Sequence, residues 1–160
     1  MQPTYLPWSG YFSLLSQCEK FIVLDDVQFN KRSWQQRNKI KSKDSEIFLT
    51  VPVITKNKRF QKINEVLIDD SRNFIEKHIK SISTNYSKSK YYKEISNELF
   101  DILECKFVRL MDLNLKLINY FIKYLEIELE ILFSSKFETV SGKDDLIFDL
   151  AAERYQRIFQ

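Results

Sequence analysis

Residues 1–34, MQPTYLPWSGYFSLLSQCEKFIVLDDVQFNKRSW, decide how the rest of the chain is read. They hold two of the three prolines, both tryptophans and one of the two glycines. Pro3 and Pro7 fix φ, lack a donor and push the residue before each out of the helical region, so residues 2–7 should form a stiff, extended turn that aims its side chains. Ser9 stands where a cap would open a short amphipathic helix, about residues 10–19, with Phe12, Leu15 and Cys18 on one face. Phe21-Ile22-Val23-Leu24 is then a short apolar run closing on Asp25-Asp26, which reads as a buried strand with carboxylates at its carboxyl end. In open α/β sheets ligands bind at that end.

Outward from this stretch, residues 33–41 (SWQQRNKIK) alternate weakly and fit either a strand or irregular chain. Residues 46–53 (EIFLTVPV) give the clearest strand, β-branched and aromatic, with Pro52 near its end. Residues 62–68 (KINEVLI) suit a further strand, with Ile63, Val66 and Ile68 alternating incompletely. From Asp70 the period lengthens. Ser71 is placed to cap a helix to about Ser83 carrying Phe74, Ile75, Ile79 and Ile82, and helices follow at about 90–105 and 107–124. Residues 125–133 (LEIELEILF) alternate like a strand, and a last amphipathic helix is expected from about Lys143. The fold class is therefore α/β, one domain over residues 1–160. A strand-rich part with an open sheet reaches to about residue 69, and a mainly helical part follows from about residue 70.

Composition narrows the function. At 160 residues and 44% hydrophobic, the chain can bury a core. With two glycines it has neither GxGxxG nor GxxxxGK(S/T), so no glycine-rich phosphate loop is present. Cys18 and Cys105 are too few and too far apart for a disulfide framework or a CxxC metal site, and are expected to be buried thiols. No run is long enough to span a bilayer, and no basic segment followed by an apolar one opens the chain, which points to the cytoplasm. The net charge of +3 conceals an asymmetry. Residues 30–62 carry ten Lys or Arg against Asp44 and Glu46, whereas residues 101–160 carry eight against eleven acidic residues. An anionic partner belongs on the basic third.

Particular side chains then become candidates. Asp25 or Asp26 can supply a carboxylate to Mg²⁺ or to a substrate amine or hydroxyl, or act as a general base; alternatively Asp26 caps a turn and Asp25 pairs with an arginine. Arg32, Arg37 and Lys39, with Asn38 between, can grip a phosphate or form a solvated loop, as Lys31, Lys41 and Lys43 are expected to do. Tyr5, Trp8 and Trp34 can stack on a sugar or base, or plug the core. Gln2 either contacts substrate or satisfies buried backbone groups. His78 is the single histidine, so any histidine chemistry, including a Ser-His-Asp triad, depends on it; the alternative is a surface or partly packed helix residue. Tyr86 and Lys88 follow its helix and can close over a pocket or lid the core.

The sequences QPTYLPWSGYF, LDDVQFNKRSWQQRNKIK and LTVPV, in this order, resemble the WbqC-like family of bacterial proteins, and NYSKSKYY resembles its Y-x-K-x-x-x-(F/Y) segment. The family is associated with gene clusters for O-antigen and other surface polysaccharides. The resemblance implies an enzyme, a transferase, acting by group transfer on a nucleotide-linked or phosphorylated sugar. Asp25, Asp26 and His78 would be the catalytic candidates. Gln2, Tyr5, Trp8, Gln28, Arg32, Trp34, Arg37, Asn38 and Lys39 would bind substrate, with the turn at 2–7 and the Asp25/Asp26 strand end walling one pocket. No metal ligands are implied and no cofactor is identified. The family's helix with W/F-x-x-H is approximated by Phe74 to His78. Family members usually begin with an apolar strand before the Gln-Pro and continue with a glycine-containing segment after the helix that follows SGKDDLI. Relative to them this chain is expected to be truncated or divergent at both ends. A reading of another class remains open: a non-catalytic nucleic-acid or partner-binding module using the basic surface of residues 30–62, interleaved with Trp34, Phe48 and Phe60.

Overall fold

A computed structural model describes residues 1–137; the helix expected from about Lys143 lies outside them. Two small sheets and four α-helices make a mixed α/β fold with a strand-bearing first half and helices through the second. Strand β1 (Lys20–Val23) pairs in parallel with β4 (Glu130–Phe133), and β2 (Arg37–Lys41) pairs antiparallel with β3 (Glu46–Thr50). The open sheet is thus realised as two separate two-stranded sheets among the described residues. Because β4 follows the four α-helices of the described residues, its return to β1 fastens the helical half onto the Asp25-Asp26 strand end.

Helix α1 (Ser9–Leu15) starts one residue earlier and ends four residues sooner than its sequence pattern suggests. Trp8 is its N-cap residue and no side chain caps it, so Ser9 is the first helical residue rather than the cap. The early stop leaves Cys18 in a turn, while Cys105 sits in extended backbone at the end of α3 (Tyr92–Glu104). Both thiols are exposed, contrary to the expectation of buried ones, because neither remains on its helix's apolar face.

The strand expected at residues 62–68 is a 3₁₀ turn, Ile63–Glu65, flanked by isolated bridges. Glu65 accepts the Lys62 N–H at 2.9 Å, which closes the turn. Ile63 and Val66, three residues apart, then face the same core. Helix α2 (Phe74–Tyr86) is entered through Asn73, not Ser71, whose amide and hydroxyl both donate to Asp69.

Two apolar clusters share α4 (Leu110–Tyr124). Leu110, Leu113 and Leu117 join Tyr5, Leu49, Val51 and Phe74 in the larger one, and Ile118 joins Tyr11, Phe12, Leu15, Phe21 and Val23 in the smaller. On the same apolar face sits Asn114, fully buried, whose amide donates to the carbonyls of Pro3 (3.2 Å) and Gln35 (2.8 Å). One side chain of α4 thereby fixes the Gln-Pro turn and the loop before β2 in the same place. A buried donor satisfied twice is costly to remove.

Candidate functional site

The loop of residues 30–36 is built by its own glutamines. Gln35 Oε1 accepts the Asn30 N–H and Gln36 Oε1 accepts the Arg32 N–H, each at 3.0 Å, and both side chains are buried. Arg32 is held at φ 58°, a left-handed conformation that a non-glycine residue adopts at a cost. The loop meets the N-terminal turn where the Tyr5 N–H donates to the Trp34 carbonyl at 3.0 Å and Gln35 Nε2 donates to Gln2 Oε1 at 2.7 Å. Gln2 is thus engaged with the loop.

Beside this loop a cleft of about 570 Å³ opens between β3, the segment after it and α2. Its lining includes four cations, Lys31, Arg32, Arg72 and Lys77, against one carboxylate, Asp69. Among the described residues Arg72 pairs with Asp69 at 3.6 Å, whereas Lys31, Arg32 and Lys77 have no carboxylate within ion-pairing distance. The Ser71 hydroxyl and amide, with a lesser contribution from the Arg72 charge, hold the Asp69 carboxyl below its usual pKa against the opposing effect of desolvation. Gln36, Thr50, Thr55 and Ser81 add polar groups.

His78 also lines the cleft, and it is buried rather than on the helix surface. Its Nδ1 is hydrogen-bonded to the Tyr5 hydroxyl at 2.8 Å, and Phe74 packs edge-on against its ring, centroids 5.3 Å apart. Burial lowers its pKa to about 4, with a hydrogen bond to the Thr50 backbone acting in the other direction. The imidazole is therefore neutral at pH 7. Tyr5 is wholly buried, and burial pushes its phenol pKa up, so it stays protonated. Of its two readings, the core one describes where this tyrosine sits.

The remaining candidates lie elsewhere. Asp25 borders a separate cleft of about 500 Å³ with Asn64, Arg109, Met111, Phe133, Ser135 and Lys136. Its carboxylate accepts from the Ser135 N–H (3.0 Å), the Ser135 hydroxyl (2.7 Å) and Asn64 Nδ2 (3.4 Å), with the Ser134 hydroxyl 3.1 Å away and shared with Asp26. Burial raises its pKa, but these hydrogen bonds, led by the Ser135 side chain and amide, outweigh it and leave the carboxyl below its usual value. Asp25 pairs with serines and an asparagine; no arginine is within ion-pairing distance of it among the described residues. Trp8, Trp34 and Asn38 line a third cleft of about 380 Å³. Both indoles are exposed, at 66% and 54%, so neither plugs the core. Gln28 Nε2 donates to the Arg59 carbonyl at 3.3 Å. Arg37 and Lys39 lie over the Phe48 ring, 4.5 and 5.3 Å from its centroid, and Lys39 also pairs with Glu46. The fold therefore brings Arg32 and His78 to one cleft and places Asp25 and the tryptophans at others.

Arg72, Lys77, Gln36 and Asn114 are absent from the sequence-derived site. Arg72 and Lys77 lie outside the basic 30–62 segment, and only the docking of α2 against β3 brings them to Arg32. Asn114 left a legible trace, a polar residue on the stripe Leu110, Leu113, Leu117. Among the described residues no group of three or more His, Cys, Asp or Glu is arranged to hold a metal, and no helix is long and apolar enough to cross a membrane.

Comparison with known proteins agrees with the motifs. The profile of the WbqC-like protein family matches residues 2–158, and the chain belongs to that family. It is similar to an uncharacterized protein of Mycobacterium tuberculosis, 36% identical over 154 residues, which covers 96% of this chain. The chain spans 66% of that relative's length. No solved structure matches it.

Proposed function

We propose that the cleft around His78 binds a phosphorylated or nucleotide-linked sugar, and that the protein is an enzyme acting by group transfer in surface-polysaccharide synthesis. The observation that carries the anionic half of this reading is the convergence of Lys31, Arg32, Arg72 and Lys77 on one concave surface, with Asp69 the sole opposing carboxylate in its lining. Guanidinium forks match phosphate oxygens bidentately, and ammonium groups neutralise what remains. The sugar and the polysaccharide setting come from the resemblance described above. A ring with a pKa of about 4 is uncharged at neutral pH, and with Nδ1 held by the Tyr5 hydroxyl and a further hydrogen bond to the Thr50 backbone, His78 serves here as a fixed neutral part of the cleft wall.

The test is a thermal-shift screen of the purified protein against nucleotide-sugars, free nucleotides, inorganic pyrophosphate and single-stranded oligonucleotides. A ligand at about 100 times its Kd stabilises by roughly 2.7 kcal/mol. A shift with a nucleotide-sugar, lost in Arg72→Ala, supports the reading; no shift with any phosphorylated small molecule overturns it. One observation favours a second reading, single-stranded nucleic-acid binding. Phe48 and Phe60 are 46% and 75% exposed, and each lies beneath an arginine. Such platforms stack bases. On that reading the shift comes only from oligonucleotides, fades steeply with salt and survives Arg72→Ala.

A further inference from the structure

The aromatic cleft shares no lining residue with the cationic one. Thr4, Pro7, Trp8, Tyr11, Trp34 and Asn38 line it, and none of them is charged. We infer that this cleft is a binding site for an uncharged pyranose ring, such as one residue of a glycan, stacked against the indoles of Trp8 and Trp34.

Exposed tryptophans are usually isolated, whereas here both of the chain's tryptophans border one concavity. Their backbones are fixed. The Trp8 carbonyl accepts the Tyr11 N–H at 3.0 Å, and the Trp34 carbonyl accepts the Tyr5 N–H at 3.0 Å. Gly10 makes room for the first indole: a Cβ at that position would overlap Cζ3, Cη2 and Cε3 of Trp8. The six-membered edge of the ring therefore lies on the helix surface where only glycine permits it. The polar groups are few and neutral, as small-molecule sites require. Asn38 is held by the Leu6 carbonyl, and the hydroxyl of Thr4 is buried with no hydrogen-bond partner.

Charge and chemistry select the occupant. A phosphate finds no cation in this lining, so the anionic part of a ligand is directed elsewhere. The apolar C–H face of a pyranose suits a large aromatic surface, and its hydroxyls suit the Asn38 amide in the lining. Loop 30–36 contributes Lys31 and Arg32 to the cationic cleft and Trp34 to this one, so one rigid loop serves two ligands of opposite character. The aromatic site does not depend on the phosphate reading, because the two can be assayed apart.

Trp8 and Trp34 are the chain's only tryptophans, so intrinsic tryptophan emission reports on this cleft alone. The probes are methyl glycosides of glucose, galactose, mannose, rhamnose and N-acetylglucosamine, with uridine and adenosine as aromatic controls. The expected result is a saturable emission change with at least one glycoside at a millimolar Kd, mirrored by saturation transfer from protein to the glycoside ring protons. Trp34→Ala and Gly10→Ala should weaken binding about tenfold or more. Gly10→Ala also controls for folding, because alanine favours the helix while displacing the Trp8 ring. Arg72→Ala should leave glycoside binding unchanged even where it abolishes pyrophosphate binding. No saturable change with any glycoside, a response to the nucleosides alone, or binding indifferent to Trp34→Ala and Gly10→Ala would overturn the inference.

Discussion

Replacing Asp25 with alanine should cost about 3 kcal/mol of stability at pH 7. The side chain is 3% exposed and meets the Ser135 amide, the Ser135 and Ser134 hydroxyls and the Asn64 amide. Hydrogen bonds to a charged acceptor are worth about 1.5–3 kcal/mol each, but a donor that can turn to water recovers most of that. Ser135 is exposed and Asn64 half-exposed, so their side-chain donors can reach solvent. The part-buried Ser135 N–H cannot, whereas the Ser134 hydroxyl keeps Asp26 as its acceptor, so the figure is that of one such loss at the upper end of the range, about 3 kcal/mol. For a chain of this size the corresponding fall in Tm is about 6–12 °C. The loss should also depend on pH. The folded pKa of Asp25 lies below the unfolded value of about 3.9, so its stabilisation is complete above that pH and disappears as pH falls through the folded pKa. Urea unfolding of wild type and Asp25→Ala, followed by circular dichroism, should show a gap of about 3 kcal/mol at pH 7 that narrows below about pH 4. A gap under about 1 kcal/mol at pH 7, or one that stays constant into acid, would refute the assignment of Asp25 as the clasp between β1 and β4.

His78 works in a neighbouring window. Its folded pKa of about 4 lies below the unfolded value of about 6.5, so wild type should lose about 3 kcal/mol between pH 6.5 and 4, and His78→Phe should lack that slope in the same unfolding series. Arg32→Gly relieves a residue at φ 58°, and should hold or raise stability by about 1 kcal/mol while weakening pyrophosphate binding measured by titration calorimetry. Stability and affinity falling together would contradict that division. Cys18 and Cys105 are exposed, so both should react with a maleimide in the native protein, read by mass spectrometry, without loss of helical signal.

What could be read from residues alone followed the strength of local signals. The apolar run of residues 21–24, the alternation of 46–50 and the periodic stripes of α2, α3 and α4 each determine their own element. The failures arose where tertiary or side-chain partners override local pattern. Ile63, Val66 and Ile68 look like a strand, yet Glu65 closes a turn there. Ser71 looks like a cap, yet Asp69 takes its donors. For the candidate site, charge density in sequence pointed to residues 30–62, but proximity in sequence is not convergence in space. Arg37 and Lys39 face Phe48 and Glu46 on the β2–β3 ribbon, while Arg72, just before α2, and Lys77, within it, join Arg32. Nor could an isolated sequence show that Tyr5, 73 positions away, holds the ring of His78.

The most direct test of the proposal that the cationic cleft binds phosphate is titration calorimetry of inorganic pyrophosphate into wild type, Arg72→Ala, Lys77→Ala and Arg37→Ala at fixed salt. The account predicts saturable binding that weakens about tenfold or more in each of the first two variants, and by less than about twofold in Arg37→Ala, whose guanidinium is stacked on Phe48. Absence of binding to wild type, or an equal loss in all three variants, would contradict it.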